Sequence, residues 1–288
     1  MLNNWFVMSL AALLCYGLFA FLYKVAAVRK MNSVAVVNLS TATVFGLGLA
    51  VLVVRGFVVP ERPSLLFLAV GNGLFFTLGS VLKMESLRFL PAAIAFSLAK
   101  TNILFVLLAA VAIFGERPSL LQVAGIASAV GMLLIARRRP ALGSGCAHPC
   151  SRGFFLALGG AFCTALTVSL GRTAARSDLD RILYVTCSYG LAAFFSLLWS
   201  RGVGASPRTL GRGGAALGMA AGLLNFVGYL CVLQAFAVGP LSAAQPVMSM
   251  SILVPIALSA LMFKERLTLR NLLALLLALA AAILIKSG

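Results

Sequence analysis

The feature that most limits what this chain can become is a succession of long apolar runs. They fall at 5–23, 33–54, 64–84, 91–114, 119–136, 153–175, 182–200, 213–236, 240–263 and 268–286. As a helix, each run is long enough to cross roughly 30 Å of hydrocarbon. Inside a bilayer only helices and closed barrels satisfy their own backbone. The expected fold is therefore an all-α integral membrane protein with ten transmembrane helices. The breaks, such as "YKVAAVRK", "FGERPS" and "AVGP", are too short for a soluble domain. Only 10% of residues are charged, against roughly 25% in an ordinary soluble domain. The opening "MLNNWFVMSLAALLCYG" lacks the basic start and small-residue cleavage site of a signal peptide and is read as the first span.

The net charge is +17, which in a soluble protein would suggest nucleic acid. Here the basic residues crowd into short loops, where they report topology and meet anionic lipid headgroups, so nucleic acid is excluded as a partner. Fifteen follow the odd-numbered spans. Seven lie on the other side with both termini: Arg55, Arg62, Arg117, Arg172, Arg176, Arg181 and Lys286. This bias predicts odd loops in the cytoplasm and termini outside. The last cation, Lys100, sits within the fourth run.

A shift of 149 positions superposes the two halves. It pairs Phe114-Gly115-Glu116-Arg117 with Phe263-Lys264-Glu265-Arg266, Pro91 with Pro240, Ile103 with Ile252, and Gly73 with Gly222. One constant offset implies a duplication, with a first repeat over 1–139, a linker over 140–152 and a second repeat over 153–288. Each half holds an odd number of spans, five, so the second must insert upside down. Inverted repeats are a transporter architecture, with the substrate site near mid-membrane.

The segment "LQAFAVGPLSAAQPVMSMSILVPIALSALMFKERLTLRNLLALLLALAAAILI" resembles the EamA-like repeat of the drug/metabolite transporter superfamily. The resemblance rests on Gly239-Pro240, Pro246 and Pro255, the Glu265-to-Thr268 ending and the small-residue last helix. "LRFLPAAIAFSLAK" with "FGERPSL" is a weaker first copy. It implies a ten-helix carrier whose central cavity is lined by spans 1, 3, 4, 6, 8 and 9, with the fifth and tenth peripheral. It implies amino acids, sugars or nucleotide derivatives, vitamins or drugs as cargo, driven by protons or exchange. Many such carriers are described with cytoplasmic termini, opposite to the charge bias here. Lys100 matches no signature of the family.

Nine residues beyond Pro91, Lys100 lies about 13–14 Å into its span, too deep to snorkel. It is a candidate substrate or gating residue, or a lysine tied to carbonyls. Its repeat mate is Ser249. Polar residues at helical spacing make up the remaining candidate binding set: Ser97 beside Lys100, Ser242, Gln245 and Ser249 on span nine, and Asn225 and Tyr229 on span eight. Asn72 on span three, Tyr16 on span one, and Thr164 and Thr167 on span six complete it. Serine and threonine in membrane helices also bond their own backbone, so each has a structural reading beside the binding one. Glu116 and Glu265 invite a proton-site reading, but their place at helix ends favours helix termination.

Cys146, His148 and Cys150 in the linker fall short of four well-spaced zinc ligands, so no metal is expected. No phosphate-binding loop or nucleophile constellation occurs, so neither an enzyme nor a cofactor is expected. The expectation is a secondary transporter of the inner membrane, a monomer or homodimer, moving an amino acid or organic anion by alternating access. Protons are a candidate coupling ion. The rivals are a multidrug exporter, which wants an acid at mid-membrane, a lipid flippase or scramblase, and a non-transporting scaffold.

Overall fold

The computed structural model describes residues 4–29, 31–56, 63–86, 89, 98, 101–136, 151–177, 179–202, 211–262 and 269–287. The first half supplies α1 (Asn4–Val28), α2 (Ser33–Arg55), α3 (Pro63–Ser86), α4 (Asn102–Ala112) and α5 (Leu120–Ala136). The second supplies α6 (Ser151–Arg176), α7 (Arg181–Gly202), α8 (Arg212–Val238), α9 (Leu241–Ser249), α10 (Leu253–Met262) and α11 (Leu269–Ser287). Six of these, α1, α2, α3, α6, α7 and α8, are long and apolar enough to cross a bilayer. Their outer faces expose large apolar side chains such as Val54, Phe67 and Phe155, as lipid contact requires.

The ninth segment departs from the continuous run expected over 240–263. It is broken into α9 and α10 by a 3₁₀ turn at Met250–Ile252. Pro255 causes the break, because it has no N–H to donate and its ring crowds the carbonyl of Ser251 four residues back. Counting α9 and α10 as one, the described residues hold ten helical segments.

Helix ends follow from local chemistry. Asn32 Oδ1 accepts from the N–H groups of Val34 and Ala35 to start α2, and Asp180 Oδ1 does the same for Ile182 and Leu183 at α7. At the end of α4, Gly115 adopts φ +63°. Beyond it the Glu116 N–H reaches back 3.0 Å to the carbonyl of Ala110. This left-handed closure turns the Glu116 carboxylate onto another helix. Its two oxygens accept from the backbone N–H groups of Leu241 at 2.7 Å and Ser242 at 2.8 Å, capping α9.

Packing divides the chain into two compact units that cut across the repeat. The first comprises Met1–Leu74, Leu170–Val238 and Ser251–Glu265. The second comprises Phe75–Ser169, Gly239–Met250 and Arg266–Gly288. In the first, α1 packs on α8 and α10, and α2 packs on α7 and α8. In the second, α5 packs on α11, and α9 packs on α4, α5 and α11.

The duplication is visible in these contacts. A Cβ on Gly222 of α8 would lie 2.6 Å from Thr43 Cβ and 2.7 Å from the Ser40 carbonyl oxygen of α2. Its repeat mate Gly73 of α3 meets α7 the same way, 2.7 Å from the Ser188 carbonyl oxygen and 3.0 Å from Leu191. Small residues let membrane helices approach backbone to backbone, and here both copies kept the same two.

Candidate functional site

Within the first unit, polar side chains from α1, α3, α7 and α8 converge halfway along their helices. Tyr16 is the central residue of α1, and Asn225 is the central residue of α8. The Asn72 Nδ2 amide donates to the Tyr229 hydroxyl oxygen at 2.9 Å, tying α3 to α8. The Tyr189 hydroxyl donates to Asn225 Oδ1 at 3.1 Å, tying α7 to α8. The rings of Tyr189 and Tyr229 meet edge to face with centroids 5.7 Å apart. Tyr16 lies against the backbone at Gly228 and within electrostatic range of both phenols.

All of these groups are removed from solvent except at Tyr16, which is half-buried. Two further hydroxyls sit beside them. Tyr184 approaches Tyr229, Ser188 and Asn72, yet neither the Tyr184 nor the Ser188 oxygen makes a hydrogen bond of full geometry.

One charged group lies close in sequence. Arg172 has no exposed area and occupies the penultimate turn of α6, next to Gly171, whose Cβ would sit 3.2 Å from the Tyr229 hydroxyl. Counting Arg172 with the loop cations was therefore a misreading: it belongs to the helix interior. Tyr184, Ser188, Tyr189 and Arg172 were all missed by sequence reasoning. The first three sit at i, i+4 and i+5 on span seven, a spacing that could have flagged them, but that span was left out of the expected cavity lining.

The other sequence candidates are placed elsewhere. Thr164 donates to the Gly160 carbonyl at 2.8 Å and Thr167 to the Cys163 carbonyl at 3.0 Å, both within α6. Ser249 donates to the Gln245 carbonyl at 2.9 Å within α9. Gln245 and Ser242 are buried on α9 in the second unit. The Ser242 hydroxyl has no hydrogen-bond partner, while its N–H is held by Glu116. Ser97, Lys100, Glu265 and the linker trio Cys146, His148 and Cys150 lie outside the described residues.

The six acids of the chain bear on what this cluster can bind. Glu85 is one residue from the end of α3, Glu116 lies past the end of α4, and Asp180 caps α7. Glu61, Asp178 and Glu265 lie outside the described residues. Among the described residues the interior of the helices thus carries hydroxyls, carboxamides and one guanidinium, and no carboxylate.

Comparison with known proteins decides the family. The EamA-like transporter family matches residues 3–137 and again 151–287. The chain belongs to the EamA-like transporter family. As a member of the drug/metabolite transporter superfamily, it is an all-α, multi-pass membrane protein with ten transmembrane helices in two inverted five-helix repeats. One solved crystal structure, described only as that of a protein, is similar with a TM-score of 0.81. It shares 17% identity and covers 99% of this chain and 96% of its own, a likeness of fold alone. No curated protein matches the sequence significantly. EamA-like proteins are membrane transporters, so a small-molecule substrate goes with the family.

Proposed function

We propose that this EamA-like transporter is a secondary carrier of the inner membrane that moves a small acid-bearing metabolite, an amino acid or an organic anion, by alternating access. The observation that carries the reading is the mid-membrane cluster of Asn72, Tyr189, Asn225 and Tyr229. Phenol and carboxamide N–H and O–H groups donate to a carboxylate at little cost, since each can exchange its present partner for the substrate oxygen. Each pair is hydrogen-bonded within itself when the substrate is absent.

Charge supports the same class. Arg172 is a buried cation within α6, and Lys100, expected within span four, would be a second. An acid group on the substrate neutralises such a cation in low dielectric. A carrier of lipophilic cations needs the opposite sign. Lys100 is proposed to meet the substrate directly, with Ser97, Gln245 and Ser249 as further lining. Protons are the proposed coupling ion. Reconstitution into liposomes, with uptake of labelled amino acids and dicarboxylates against a lipophilic-cation panel, tests this. Saturable uptake of an acid-bearing solute, lost in Lys100→Gln, is expected; transport restricted to cations would sink the reading.

A further inference from the structure

Beyond the mid-membrane cluster, the first unit opens into a cleft of about 840 Å³ at the ends of α2, α6, α7 and α8. Arg55, Arg176 and Arg181 line it together with Asp180 and Gln234. We propose that this cleft is a docking vestibule for an acid group (a carboxylate, phosphate or sulfonate), where the substrate is captured before it reaches the helix interior. The inference rests on the reading of the chain as a carrier of acid-bearing solutes and adds a second site to it.

Three observations carry it. First, among the described residues three guanidiniums face one carboxylate, Asp180, whose Oδ1 already accepts from the N–H groups of Ile182 and Leu183 at 2.7 and 3.1 Å. Second, Arg181 donates through Nη1 to Gln234 Oε1 across from α7 to α8, which fixes its planar fork while leaving its other N–H groups for a ligand. Arginine forks match carboxylate and phosphate oxygens in pairs.

Third, a further cation lies behind these three: buried Arg172 is one turn inward from Arg176 on α6. The cleft also leads inward. Tyr184, one turn from Arg181 on α7, approaches Tyr229, and the lining residue Leu230 adjoins Tyr229. Exposed Arg55 and Arg176 and half-buried Arg181, over the buried Arg172, raise the local concentration of an anion.

Phenylglyoxal labelling of the full-length protein in nanodiscs, read per arginine by mass spectrometry, tests the vestibule. One arm uses phosphatidylcholine discs with inorganic phosphate or succinate added. The other uses discs containing phosphatidylglycerol and no added anion. Slower labelling of Arg176 and Arg181, with no change at the exposed Arg201 at the far end of α7, is expected. Protection in the first arm supports capture of a soluble acid; protection confined to the second arm means that a lipid headgroup occupies the arginines and overturns substrate capture. In Arg176→Gln, protection of Arg181 should need about tenfold more phosphate, the loss of one charge-assisted contact. No protection in either arm, or equal protection at Arg201, would overturn it. Uptake of an acid-bearing solute without protection overturns the vestibule alone. Protection without any such uptake supports the vestibule and overturns the carrier reading.

Discussion

Helices α2 and α7 are repeat mates, and so are α3 and α8, yet the residues that form the mid-membrane cluster are not matched across the repeat. Where α7 holds Tyr184, Ser188 and Tyr189, the positions 149 residues earlier on α2 are Ala35, Leu39 and Ser40. Where α8 holds Asn225 and Tyr229, α3 holds Phe76 and Ser80. The packing glycines, by contrast, kept their roles: Gly73 meets α7 as Gly222 meets α2. Duplication preserved the scaffold and let the polar interior diverge. A site built on that divergence is weighted to the second repeat, with Tyr189, Asn225 and Tyr229 on it and Asn72 and Tyr16 reaching in from the first.

The scaffold half of the comparison breaks most severely at its glycines. Gly222→Ala and Gly73→Ala each force a methyl into a neighbouring carbonyl at 2.7 Å, and each should cost about 1–3 kcal/mol by overpacking. Thermal unfolding in detergent should show two losses of similar size, since the contacts are mates. Next comes Asn225→Leu. It removes the Oδ1 that accepts from the buried Tyr189 hydroxyl and should lower stability by about 1–2 kcal/mol in the same assay.

Glu116→Gln should have a smaller effect, about 1 kcal/mol, because its one amide oxygen still accepts from a backbone N–H of α9 while the second bond and the charge are lost. The pH profile of uptake should stay where it is in the wild type; a displaced profile would make Glu116 a proton site instead of a cap. Smallest are Thr164→Ala and Thr167→Val, within about 0.5 kcal/mol, since both hydroxyls bond their own helix and the helix keeps its backbone bonds without them.

The ten segments, the duplication and the family resemblance were legible because each rests on a long-range regularity: apolar runs of spanning length and one offset holding over both halves. The mate glycines Gly73 and Gly222 were legible for the same reason. Polar residues were harder to read. Asparagine and tyrosine carry groups that their own helix does not satisfy, and Asn72, Asn225 and Tyr229 do bond across helices. Serine and threonine reach the carbonyl four residues back, so spacing alone does not tell Thr164 from a binding residue.

Span seven was unread because the resemblance assigned it no cavity role and its three polar residues form no long stripe. Arg172 was unread because an arginine four residues from a helix end is ordinary topology until its burial is seen. The break in span nine was foreshadowed by Pro255, which falls three residues after the 3₁₀ turn.

The most direct test of a site weighted to the second repeat compares repeat mates in transport. Uptake of the best acid-bearing solute into liposomes should be measured against concentration for Tyr229→Phe and for its mate Ser80→Ala. Ser80 already bonds the Phe76 carbonyl of its own helix at 2.8 Å. A shift in KM or maximal rate for Tyr229→Phe, with Ser80→Ala matching the wild type, is the predicted result. Equal effects of the two substitutions, or no effect of Tyr229→Phe, would contradict the account.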